Sequence, residues 1–319
     1  MSVLVGLIVM LGMLVVVPAG LRLVDGPQPA TLRLLRRAWP LLAAPGAVSL
    51  WLPRSPLAAA LAGVYALATL ALALHAPARL ALTRKPAPAE IAVLTALATP
   101  SVAGLALVAE RAGYELFGFE LDILALTVPH FHFAGFTAAL VAGLVCRTAE
   151  GRATRFAAVS VPLGTLLVLL GYFVDDWAEL AGALVLTAGM WAVALTTWRE
   201  LRATAPDPVT RALLGVSAAV LVATMLLALS WALGEATGLP HPSLTWMAAT
   251  HGLGNALGFA LCSLLAWRRL RPAPAGSHPA EGRPTPTPVP RPATATATAP
   301  TPTTLATSPA TAHRTELPA

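Results

Sequence analysis

Apolar residues in this chain fall into long runs separated by short polar breaks. The runs cover roughly 2–24, 38–52, 56–76, 90–109, 123–146, 156–174, 177–198, 209–233 and 243–267. Runs of about 20 apolar residues cross a hydrocarbon core of about 30 Å as helices. The pattern therefore predicts an all-α, polytopic transmembrane helix bundle of about nine helices. Strand-length alternation is absent, which excludes an outer-membrane barrel. No basic residue precedes the first run, so it reads as a retained helix and not as a secretory signal. The weakest run is 38–52, which is short and holds Pro40, Pro45 and Gly46. At the α-helical rise it reaches only about 22 Å.

Composition agrees with this pattern. The chain is 56% hydrophobic and 11% charged, against about 25% charged in soluble domains. Its net charge of +6 does not point to nucleic acid, because the basic residues sit in short loops and not on one soluble face. They also alternate. The odd-numbered loops and the C-terminal segment hold 19 of the 21 basic residues, leaving only Arg54 and Arg111 on the other side. Lys and Arg collect on the cytoplasmic side of short loops. The N-terminus is thus expected outside and the C-terminus inside, and this parity needs 38–52 to cross. Arginine outnumbers lysine by twenty to one, a bias of GC-rich bacterial genomes, so the bacterial cytoplasmic membrane is the expected location. Cys146 and Cys262 fall near predicted cytoplasmic ends, and no disulfide framework is implied.

The opposite loops are acidic. Glu110, Asp175, Asp176 and Glu179 mark an outer mouth, read either as a solvated rim or as a cation-attracting vestibule. From Pro272 to Ala319 the chain is rich in Pro, Thr and Ala without apolar periodicity. Such a segment cannot bury enough surface to fold. The expected organisation is a bundle over 1–271 and a disordered cytoplasmic tail over 272–319.

The candidate chemistry lies in three histidines. Ionisable groups deep in a bilayer are costly and mark functional sites. Counted from the outer helix ends, His130, His132 and His251 lie about 10, 13 and 12 Å in. Asn255 shares a helix face with His251. Residues two apart on a regular helix point about 200° from each other, so His130 and His132 cannot both ligate one ion from an undistorted helix. Pro129 removes a backbone hydrogen bond and can kink the helix here. The kink either brings both rings to one cavity or lets each face a different helix. Imidazoles from different helices can also form a metal site. Alternatively, each histidine donates across a helix interface as structural glue. Small residues at Gly254 and Gly258, and at Gly135, Ala139 and Gly143, suggest that the fifth and ninth helices approach closely.

Two segments, Thr127-Val-Pro-His-Phe-His-Phe-Ala-Gly-Phe136 and Thr250-His-Gly-Leu-Gly-Asn-Ala-Leu-Gly-Phe259, resemble the YndJ family of bacterial membrane proteins. The resemblance extends over the helical portion to about residue 270 and not over the tail. It implies a multi-pass, transporter-like membrane protein and carries no reaction. The leading expectation is a transporter-like protein with a His-lined polar site for a small solute or ion in the outer half of the bilayer. A structural or assembly role comes second. An intramembrane metal or redox enzyme comes third, because no carboxylate lies at the depth of the histidines to act as a base.

Overall fold

The computed structural model describes residues 2–26, 29–84 and 86–271. The predicted tail lies outside them. Among the described residues, eight helices are long and apolar enough to cross a membrane. They are α1 (Val3–Leu21), α3 (Pro56–Thr83), α4 (Pro88–Ala112), α5 (Leu121–Thr148), α6 (Arg152–Gly171), α7 (Asp176–Leu201), α8 (Pro208–Thr237) and α9 (Leu244–Leu270). Between α1 and α3 lies α2 (Ala30–Ser49). The protein is an all-helical, multi-pass membrane protein.

The second helix corrects an expected boundary. It begins eight residues before position 38 and takes in Arg33, Arg36 and Arg37. Hydropathy sees only its apolar half. Its 20 residues span about 30 Å, enough to cross despite Pro40 and Pro45.

Charged side chains tie the loops together at two separate ends. At one end Arg271 donates to Arg22 O at 2.6 Å and pairs with Asp25 at 2.6 Å. Arg79 donates to Asp25 O at 2.8 Å. Glu90 is buried between Arg79 and Arg147, the latter at 3.1 Å. Arg269 pairs with Asp207 at 3.0 Å. Hydrogen bonds from the Thr210 side chain and backbone, with Arg269 beside them, hold the half-buried Asp207 carboxyl down to about 2. The first, third, fifth and seventh loops and the end of α9 therefore gather at one basic end.

The other end has its own clasp. Glu110 is fully buried and paired with both Arg54, at 3.0 Å, and Arg111. Arg111 also donates to Leu52 O at 3.1 Å. Phe119 stacks edge-on against Tyr172 and Phe173, with centroids 6.2 and 5.2 Å apart. Because α2 starts beside the basic end and finishes beside Arg111, it runs the length of the bundle.

The small-residue stripes do not join α5 to α9. A Cβ on Gly258 would lie 2.7 Å from Val220 of α8, and one on Gly135 would lie 2.8 Å from Thr99 of α4. The stripes seat α9 on α8 and α5 on α4. Which helix fills a small-residue face is a tertiary choice that spacing alone leaves open.

Removing one member of a buried ion pair strands its partner's charge. Glu110→Gln is expected to cost about 3 kcal/mol, read as a lowered thermal midpoint of the detergent-solubilised protein. Arg54→Gln, at the exposed rim of the same clasp, is expected to shift it less.

Candidate functional site

The histidine-bearing helices are locally unwound. Pro129 cannot donate a backbone hydrogen bond, and the turn after it, Phe131–Thr137, is a π-helix. The Thr137 hydroxyl donates to His132 O at 2.9 Å, five residues back. α1 carries a π-turn over Gly12–Val16, and α9 carries two, Ala248–Gly252 and Gly254–Leu261. Such single-turn π segments inside α-helices occur frequently at functional sites. Each extra residue rotates the following side chains relative to a regular helix.

On α5, His130 and His132 face different neighbours, as their two-residue spacing requires. His132 is fully buried, and its Nε2 lies 2.6 Å from the hydroxyl of Tyr65, which is also fully buried. Trp39 packs edge-on against Tyr65 with centroids 6.0 Å apart, and its indole N–H donates to Met13 O at 2.9 Å. Two hydrogen bonds and the ring contact between them thus join α1, α2, α3 and α5. Gly12 makes room for them, because a Cβ there would sit 2.7 Å from His132 Nδ1. That nitrogen is buried and has no hydrogen-bond partner among the described residues. Sequence reading missed Tyr65 and Trp39. The available signal was a hydroxyl and an indole N–H in apolar runs, where each needs a partner.

His130 turns instead into a cavity of about 210 Å³. Its wall includes His130, His251 and Asn255, together with apolar side chains such as Phe133, Met190 and Met225. The structure brings these three polar residues together and leaves His132 apart. Tyr172, Glu179 and Trp231 line the part of the cavity toward the end opposite the basic one.

The polar atoms of His251 are fixed by α8. Its Nδ1 lies 2.8 Å from Thr224 O. A carbonyl only accepts, so Nδ1 carries the proton and Nε2 is an acceptor. Asn255 Nδ2 donates to that Nε2 at 3.2 Å, and Asn255 Oδ1 accepts from the Thr224 hydroxyl at 2.9 Å. The ring Thr224–His251–Asn255 closes on itself. His130 has no such support, and its Nε2 is buried without a hydrogen-bond partner among the described residues.

The four acidic candidates separate as well. Glu110 is neutralised in its arginine clasp. Asp175 caps α7 by accepting from Ala178 N at 2.8 Å, and Asp176 is exposed in the first turn. Only Glu179 of the four lines the cavity. Among the described residues no group of three or more His, Cys, Asp or Glu side chains is placed to hold a metal ion. Both ring nitrogens of His251 are engaged within the chain, and His132 Nε2 is taken by Tyr65.

A family model described as YndJ-like protein matches residues 7–259. The match runs from α1 into α9 and includes every histidine and the asparagine described above. No curated protein and no solved structure matches the chain.

The two histidine environments predict opposite responses to substitution. Tyr65→Phe leaves His132 Nε2 unpaired in a dry interior and is expected to destabilise by about 1–3 kcal/mol. Gly12→Ala pushes a methyl group into the His132 ring and is expected to lower the thermal midpoint too. His130→Gln breaks no hydrogen bond and is expected to leave the midpoint nearly unchanged. Thermal unfolding of the three purified variants checks this.

Proposed function

We propose that this chain, which belongs to the YndJ-like family, is a transporter-like membrane protein. It binds a small solute with an apolar body and a polar head in the cavity between α5 and α9. The observation that carries this reading is the cavity itself. It is a largely apolar space of about 210 Å³ whose wall brings His130, His251 and Asn255 together, with Tyr172 and Glu179 toward one end. Apolar walls with a few well-placed polar groups are the usual form of a small-molecule site. The His130 side chain lines the wall and makes no hydrogen bond within the described residues, which leaves its imidazole free to serve a ligand. The Thr224–Asn255 frame gives His251 a fixed orientation, as recognition requires.

Orientation follows the same reading. The basic end faces the cytoplasm by the segregation of Lys and Arg, in the cytoplasmic membrane of a bacterium. The cavity then lies in the outer half, and Glu179 stands on the side from which a solute enters. His132 has a different role. Its bond to Tyr65 favours interhelical glue, so the structural reading applies to this histidine and the ligand reading to the other two.

Mass spectrometry of small molecules and metals retained by the purified protein tests the proposal. Wild type is expected to retain a small molecule that His130→Ala/His251→Ala loses at unchanged helix content. His132→Gln is expected to lose stability first. The proposal fails if wild type retains nothing and if a deletion strain matches wild type in uptake and tolerance across small solutes and ions.

A further inference from the structure

α7 and α8 leave a groove on the outer surface of the bundle, lined by none of the residues of the histidine cavity. It encloses about 390 Å³ and is lined by Trp191, Leu195 and Trp198 of α7 and by Ala218, Ala219 and Val222 of α8. The lining is apolar throughout, and both tryptophans are substantially exposed. Large side chains on one helix face small ones on the other, which makes a trough along the helix pair.

The trough changes character toward the basic end. The Arg202 guanidinium lies 4.3 Å from the centroid of the Trp198 ring, a cation–π contact. A Cβ on Gly215 would come within 3.1 Å of Arg202 Nε. The bare backbone at Gly215 thus lets the guanidinium lie between the two helices. Arg211 stands four residues before Gly215 and shares its helix face, one turn nearer the end. Neither Arg202 nor Arg211 is in an ion pair among the described residues, while Asp207 is taken by Arg269. Glu200, in the π-turn Thr197–Leu201, makes no ion pair with either arginine among the described residues.

We propose that this groove binds one acyl chain of an anionic phospholipid, whose headgroup phosphate pairs with Arg202 and Arg211. The chain fills the apolar trough and the phosphate meets two arginines, whose planar donors match phosphate oxygens. A net-neutral phospholipid gains less from the doubly cationic end. A second copy of this protein is disfavoured there, because it would bring the same two cations against each other.

The test places the full-length protein in phosphatidylcholine vesicles carrying either brominated phosphatidylglycerol or brominated phosphatidylcholine, and reads tryptophan quenching. The chain has eight tryptophans, so Trp191→Phe/Trp198→Phe identifies the groove's share. Brominated phosphatidylglycerol is expected to quench that share in preference to brominated phosphatidylcholine. The preference is expected to fall about 5-fold for each arginine removed in Arg202→Gln and Arg211→Gln, and to fall with salt. Arg202→Lys is expected to retain part of it. Equal quenching by the two lipids overturns the proposal, as does a preference that survives both glutamine substitutions. So does a groove that neither lipid reaches in a protein that sizes as a dimer. If the glutamine variants do not fold, the salt titration of wild type decides between the same outcomes.

Discussion

Hydrocarbon offers no water to replace a missing hydrogen bond, and the inner structure of this bundle follows from that constraint. Each departure from the regular α-helix frees backbone groups that the bundle itself has to satisfy. Met13 O, in the π-turn of α1, receives the Trp39 indole. His132 O, in the π-turn of α5, receives the Thr137 hydroxyl. His251, in a π-turn of α9, reaches across to Thr224 O. The polar side chains inside the membrane are thereby committed to particular helices, and they fix how those helices pack.

The same constraint sorts the charges. Glu90 and Glu110 are buried, but each lies near a helix end and each meets two arginines. Such pairs return little net stability, because desolvation offsets most of the attraction. They hold loops together at either end of the bundle all the same. Of the two buried ring nitrogens without a partner among the described residues, His132 Nδ1 and His130 Nε2, the second is distinguished by its place. It belongs to a side chain in the wall of a cavity that it shares with a histidine already oriented by its neighbours.

Much of the fold was legible in the apolar runs. Eight of the nine expected spans match helices of membrane-crossing length and composition, and α2 shows why the remaining one was bounded too narrowly. Its first eight residues carry Arg33, Arg36 and Arg37, so hydropathy begins too late while the helix geometry continues. The site was legible only as a set of residue types at one depth. Two-residue spacing gave the opposed directions of His130 and His132, and Pro129 marked the irregularity. Neither the Tyr65 partner nor the Thr224 anchor of His251 had a local signal beyond being a polar group in an apolar run. The glycine stripes on α5 and α9 were visible, but their partners proved to be α4 and α8.

The sequence by itself determined a multi-pass helical bundle with basic residues segregated among alternate loops. Hydropathy and loop charge are properties of short stretches, and each stretch can be read without its neighbours. The tertiary structure decided what the histidines do. His132 meets a tyrosine 67 positions away, while His130, two residues earlier, opens on a cavity shared with a helix more than a hundred residues further on. Two-residue spacing sets the rings apart, and only the packing of the surrounding helices determines what each of them meets.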